Sequence, residues 1–198
     1  MPPPNLPRLD NWSPLASANQ VFSPEECAKL IAQRQTLEEK DARIIDDPQG
    51  TAPIGPAGAY RKSRVAWMRP SPDNEWVFAR VFDVVRHVNQ QCYEMDLAGF
   101  TEPLQIAEYS PGHYYDWHLD VGRGPHSIRK LSVIVQLTDP RTYQGGGVEI
   151  LCSREATVLT REQGAMTVFP AYLLHRVLAV SEGTRYSLVG WVGGPPYR

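Results

Sequence analysis

Apolar positions in the first hundred residues recur with helical spacing. Ser23-Pro24-Glu25-Glu26 reads as a capping box with proline at the first helical position, and Ala28, Leu30 and Ile31 supply an apolar stripe behind it. This predicts a helix from about 24 to 37. Val77, Phe78, Val81, Phe82, Val84, Val85 and Val88 return every three or four residues, which predicts a second amphipathic helix from 73 to about 97 despite its many β-branched residues. Between the two, residues 46–60 concentrate Gly, Pro and Asp without any period and form a long loop, a candidate lid. Residues 1–20, rich in Pro, Asn and Ser, suit an irregular arm.

Beyond residue 100 the texture changes to short apolar or alternating runs bounded by turn formers: 104–109, 128–137, 148–151, 165–169, 173–180 and 184–192. Helices first and many short strands afterwards predict an α+β chain. Its core would be a double-stranded β-helix, or jelly roll, buttressed on one outer face by the N-terminal helices. A length of 198 residues suits one domain over 1–198, with 1–20 as the arm, 21–100 as helical support and lid loop, and 101–198 as the jelly-roll core.

Composition removes several function classes. A formal charge of −2 offers no basic field for a phosphate backbone, so no nucleic-acid partner is expected. The start of the chain lacks the charged-then-apolar run of a secretion signal, and no apolar stretch is long enough to span a bilayer, so the expected location is cytoplasmic with no membrane partner. Cys27, Cys92 and Cys152 stand too far apart for a CxxC zinc pattern and read as reduced thiols. Gly145-Gly146-Gly147 lacks the strand-to-helix flanks of a phosphate cradle, and no nucleophile triad competes.

The candidate chemistry sits in the β half. His118 and Asp120 are two apart in Tyr114-Tyr115-Asp116-Trp117-His118-Leu119-Asp120, and on an extended chain that spacing turns both side chains to one face while Trp117 points the other way. His175 lies 175 − 120 = 55 residues beyond Asp120 in the apolar run Leu173-Leu174-His175-Arg176-Val177. A lone His-x-Asp arises often by chance, and a histidine in an apolar strand is commonly core packing. Together, two histidines and a carboxylate make the facial triad that holds non-haem Fe(II) with positions left open. Arg185 follows His175 by ten residues and shares a strand face with Ser187. A guanidinium at the closed end of an apolar barrel would grip the far carboxylate of a dicarboxylate whose other end chelates the metal, and 2-oxoglutarate has that shape.

These residues resemble the prolyl 4-hydroxylase family of Fe(II)/2-oxoglutarate dioxygenases. The family's Tyr-x-x-Gly-x-x-Tyr-x-x-His-x-Asp pattern is matched by Tyr109, Gly112, Tyr115, His118 and Asp120, its following Arg-x-x-Thr/Ser strand by Arg129 and Ser132, and its Gly-Gly turn by Gly145-Gly146-Gly147. The resemblance implies that His118, Asp120 and His175 bind iron, that Tyr109 and Arg185 hold 2-oxoglutarate, and that Tyr115, Arg129 and Trp191 face the prime substrate. Collagen-type and algal members commonly carry lysine where Arg185 stands, so this chain is similar to the bacterial, phage-like and Pro/Lys hydroxylase branches. The implied activity is hydroxylation of an unactivated C–H bond, first of a prolyl residue in a peptide or protein, using O2, releasing succinate and CO2, with ascorbate as reductant. Two alternatives stay open: hydroxylation of a free amino acid or small metabolite, and a cupin-like metal enzyme without 2-oxoglutarate, which would have no use for Arg185. A non-catalytic binding module is disfavoured because all three ligand positions are filled.

Overall fold

A computed structural model describes residues 13–37, 39–41 and 60–197, with only the backbone of 39–41 described. The expected lid loop over 46–60 lies outside the described residues except for Tyr60, as do residues 1–12 of the expected arm. In chain order the strands are β1 (Ala16–Ala18), β2 (Glu39–Asp41), β3 (Arg61–Lys62), β4 (Arg64–Met68), β5 (Gly99–Phe100), β6 (Leu104–Tyr109), β7 (Tyr114–His118), β8 (Arg129–Gln136), β9 (Gln144–Gly145), β10 (Val148–Leu151), β11 (Ala156–Val158), β12 (Met166–Pro170), β13 (Leu174–Val177), β14 (Val180–Glu182) and β15 (Arg185–Gly193). The helices are α1 (Pro24–Arg34) and α2 (Glu75–Val88).

Two antiparallel sheets face one another in a jelly roll. The larger runs β1-β12-β8-β15-β6-β4-β2, with β5 paired to β15, and the smaller runs β11-β10-β13-β7-β3. Alternation along the large sheet divides its residues between two cores. Leu104, Ile106, Leu131, Val133, Val135, Leu188 and Val192 meet Cys27 and Leu30 of α1 and Val77, Val81 and Val85 of α2 on the outer face. Ala107, Tyr109, Ile134 and Phe169 turn inward to Val148, Ile150 and Val177 of the small sheet. Each fully buried aliphatic side chain in these layers contributes roughly 1.5–3 kcal/mol from its removal from water. The outer layer therefore anchors the helices, and the inner layer lines the barrel that holds the site.

The sequence-based boundaries shift in several places. The α1 capping box is formed, with the Ser23 side chain accepting from the Glu26 amide and the Glu26 side chain reaching back, but the helix stops at Arg34, with Gln35 as its C-cap. The helix expected to reach 97 is α-helical only to Val88 and continues as a π-helical turn over Asn89–Tyr93. Glu94 then takes a left-handed conformation, and the Asn89 amide locks the exit by bonding both the N–H and the carbonyl of Met95. Within the expected irregular arm, Ala16–Ala18 form an edge strand on β12. The expected strand 173–180 splits, because β14 leaves the barrel to pair with β9. Strands β2, β3 and β4 bring residues from before position 100 into both sheets. Among the described residues no helix is long and apolar enough to cross a membrane.

Candidate metal centre

The antiparallel pairing of β7 with β13 sets His118 directly opposite His175, so both side chains leave the small sheet on its inner face with ring centroids 4.0 Å apart. Asp120, just past the end of β7, is held from several directions. Its N–H donates to the Ala171 carbonyl, its own carbonyl accepts from Arg129 Nη1 at 2.9 Å, and its Oδ2 accepts from the Ser132 hydroxyl at 2.6 Å. His118 Nε2 lies 3.9 Å from Asp120 Oδ1, and His175 Nε2 lies 3.4 Å from Oδ2. One ligand atom from each of the three buried residues falls within 4.8 Å of the others.

The two imidazoles are oriented by the same local device. His118 Nδ1 is 2.7 Å from the Asp116 carbonyl and His175 Nδ1 is 2.9 Å from the Leu173 carbonyl, two residues earlier in each case. A carbonyl can only accept, so each Nδ1 carries the proton and the Nε2 atoms are left facing Asp120 as donors of electron pairs. Burial, and then the neighbouring His175, push the His118 imidazole down to about 3, so it is neutral at neutral pH. Burial works to raise the Asp120 carboxyl, but His175, His118 and Arg129, with the Ser132 hydroxyl, bring it down to about 2. A neutral imidazole and an ionised carboxylate are the forms that bind a cation. The donor set, the fixed tautomers and the convergence of the three atoms fit a divalent transition metal of the kind bound by two histidines and a carboxylate.

Ser132 was visible in the sequence only through a motif, whereas its contact is explicit. It sits on the inner face of β8 and holds the carboxylate oxygen nearer to His175. Ser132→Ala is expected to weaken metal affinity by about 10–100-fold, the usual effect of removing a partner that orients a ligand. Titration of the metal-free variant with Co(II), followed by its visible absorption, measures this.

Deeper in the barrel Arg185 is 1% exposed and stands opposite Tyr109 of β6, its guanidinium carbon 5.5 Å from that ring. The three-glycine turn makes room for it. Gly146 has φ 64°, and a Cβ there would come within 3.1 Å of Arg185 Cδ and 2.8 Å of Val180 Cγ2. Nε and Nη2 both donate to Gln136 Oε1, at 3.2 and 2.8 Å, and Nη1 has no hydrogen-bond partner. Among the described residues no carboxylate pairs with Arg185. Burial works against its charge, offset first by the Tyr109 phenol and then by the Tyr143 phenol, which is also a hydrogen-bonding neighbour of the guanidinium. A buried cation with an orphaned N–H fits a carboxylate brought in from outside. Ser187 lies on the same face, also buried, opposite Gln136 and Ala107.

The structure brings Tyr115, Trp191 and Arg129 to the same inner region, where Arg129 also has protein partners. Tyr115 stacks on His118 with centroids 3.5 Å apart and 12° between planes, and Arg61 lies 4.5 Å from its ring. Burial pushes its phenol up to about 12. Trp191 is buried with its indole N–H unpartnered and Trp67 at 6.2 Å between centroids. Arg129, expected to face the prime substrate, has Nε and Nη2 on the Glu102 carboxylate and Nη1 on the Asp120 carbonyl, with its plane 4.0 Å from the Trp191 ring. Trp117 points away from the site, as alternation requires, under the Arg176 guanidinium. Gln136, Glu102, Arg61 and Tyr60, whose ring stands edge-on to Tyr115 with centroids 5.5 Å apart and whose hydroxyl donates to the Trp117 carbonyl, were missed by sequence reading. Only Gln136 had a local signal, since it shares the inner face of β8 with Ser132.

Residues 104–193 match the family described as the 2OG-Fe(II) oxygenase superfamily. A PKHD-type hydroxylase of Hyphomonas neptunium is 34% identical over 113 residues, 55% of this chain and 50% of that protein. A PKHD-type hydroxylase of Prochlorococcus marinus is 32% identical over 171 residues, 82% of this chain and 75% of that protein. The chain spans about half the length, or less, of most of the curated relatives it matches. Among solved structures, a Pseudomonas putida prolyl-4-hydroxylase superposes with a TM-score of 0.72 at 21% identity, over 92% of this chain and 93% of that one. A prolyl hydroxylase from Trichoplax adhaerens, solved with a hypoxia inducible factor peptide fragment, gives 0.70 at 14% identity, over 91% and 83%.

Proposed function

Because the chain belongs to the 2OG-Fe(II) oxygenase superfamily, with a PKHD-type hydroxylase 32% identical to it over 82% of its length, we propose that it is an Fe(II)- and 2-oxoglutarate-dependent hydroxylase acting first on a prolyl residue of a peptide or protein. The observation that carries this reading is the pairing, in one barrel, of the His118–Asp120–His175 cluster with a buried Arg185 whose Nη1 has no protein partner. A cupin-like metal enzyme would need the cluster but not the buried cation, whose burial is costly without a ligand.

On this reading His118, Asp120 and His175 hold the iron, and Arg185, with Tyr109 and Ser187 beside it, receives the far carboxylate of 2-oxoglutarate. When bound, iron with 2-oxoglutarate and O2 supplies an oxidation that yields succinate and CO2 and places one oxygen atom in a substrate C–H bond. The chain's own work is to bind and orient. Ser132 and Arg129 fix the carboxylate ligand from its side chain and its backbone. The Asp116 and Leu173 carbonyls fix the histidine tautomers. Trp191 offers an unpartnered indole N–H for an acceptor such as a peptide carbonyl, and Trp67 beside it gives a flat apolar surface on which a pyrrolidine ring would rest. That a related fold has been solved with a peptide supports a peptide ahead of a free amino acid or small metabolite.

The test begins with succinate formation by anaerobically iron-loaded protein given 2-oxoglutarate and O2. Proline-containing peptides and free amino acids are then compared for a mass gain of one oxygen. Succinate stimulated by a peptide supports the proposal, stimulation only by a free amino acid moves the substrate class, and iron binding with no succinate under any condition overturns it. Added ascorbate that prolongs turnover would identify it as the reductant.

A further inference from the structure

Arginine offers a carboxylate two paired edges: the side-on edge of Nε and Nη2, and the end-on edge of Nη1 and Nη2. In this barrel Gln136 Oε1 takes the side-on edge, accepting from Nε at 3.2 Å and Nη2 at 2.8 Å. The amide orientation is forced, because the alternative would aim its NH2 group at guanidinium N–H donors. Gln136 is itself buried, opposite Ser187 in the β8–β15 register, and its backbone is pinned by the Ala165 carbonyl on its N–H and by Gly164 on its own carbonyl. Nη1 remains without a partner, and the Gly146 turn holds the aliphatic stem from below.

We infer that Gln136 is a positioning residue for the co-substrate: its neutral amide occupies the side-on edge of Arg185, so the incoming carboxylate docks end-on through Nη1 while the guanidinium charge stays uncompensated. The inference rests on the 2-oxoglutarate reading above. A glutamate at 136 would fill the same edge and also cancel the charge, turning the anchor into a closed internal ion pair. The residue thus decides whether Arg185 is a ligand site or a structural bridge, though it need not touch the ligand.

The experiment is calorimetric titration of 2-oxoglutarate into protein loaded with Mn(II), with thermal unfolding of the metal-free protein alongside. Gln136→Glu is expected to weaken 2-oxoglutarate binding by about 100-fold, as loss of a charge-assisted contact does, while the melting temperature holds or rises because Arg185 gains an anionic partner. A residue that served only packing would show the opposite split, a lower melting temperature with unchanged affinity. If Gln136→Glu does not fold, Gln136→Met decides: it keeps the volume, frees the side-on edge, and is expected to weaken 2-oxoglutarate about tenfold. Affinity within about threefold of wild type in a folded Gln136→Glu, or in Gln136→Met where that variant decides, overturns the inference. Wild-type protein that takes up Mn(II) but not 2-oxoglutarate removes the co-substrate reading and this inference together, an outcome distinct from failure of the variants alone.

Discussion

His175→Ala lowers substrate-dependent succinate formation by about 10³-fold or more, because a metal's stabilisation of developing charge is worth several kcal/mol and each 1.36 kcal/mol is a factor of ten. His175 is the cross-strand partner of His118 and the nearer imidazole to Asp120, so its removal leaves two donors, neither able to close the site alone. The loss should fall on metal uptake as well as turnover, which dialysis against Co(II) followed by metal analysis would show. The fold should persist, since the residue's neighbours in β10 and β7 pair through their backbones. A variant that kept wild-type metal content and at least a tenth of the turnover would rule His175 out as a ligand.

Arg185→Met should move two quantities in opposite directions. Binding of 2-oxoglutarate falls by about 100-fold or more, the scale of losing a charge-assisted pair in a water-poor site. Stability of the ligand-free protein rises, because a fully buried guanidinium without a carboxylate partner bears a desolvation cost of several kcal/mol, more than the about 1–3 kcal/mol of leaving Gln136 Oε1 without its donors. A gain of about 1 kcal/mol corresponds to about 2–4 °C in a domain of this size. Differential scanning fluorimetry with and without 2-oxoglutarate reads both effects at once: the variant melts higher than wild type when apo and gains nothing from the ligand. A variant that melts lower and still responds to 2-oxoglutarate would mean that Arg185 is a packing residue.

How much of this was legible beforehand depends on whether a residue's task is local. His118 and Asp120 were readable because a spacing of two on an extended chain fixes their relative direction, and His175 because an apolar strand isolates it. Arg185 stood out because a charged residue at that distance from a candidate ligand has few surface explanations. The outer-core residues of α2 followed from periodicity alone. What stayed hidden depends on tertiary pairing. The Glu102–Arg129–Asp120 chain links three segments that no sequence spacing relates, so the bracing contacts of Arg129 were not readable beforehand. Strands β3 and β4 are masked by Arg61, Lys62 and Arg64, whose charges break an alternation that becomes visible only once β6 and β7 are beside them. The end of α2 was misplaced because apolar periodicity continues through the π-helical turn, while the stop signal is Asn89 bonding to Met95.

The two faces of the large sheet have a consequence for how this chain can vary. On β8, Leu131, Val133 and Val135 serve the helix-side core, while Ser132 and Gln136 serve the barrel interior; on β15, Leu188 and Val192 are interleaved with Arg185 and Ser187 in the same way. Foundation and chemistry are thus written on odd and even letters of the same words. Exchanging an inner-facing residue leaves the foundation untouched, so the repertoire of accepted molecules is free to drift one substitution at a time. Inserting or deleting a single residue within either strand would swap the two alphabets from that point to the strand's end, driving polar groups under the helices and aliphatic ones into the barrel. Diversification of this scaffold is therefore expected through replacement within these strands, with changes of length confined to the connections between them.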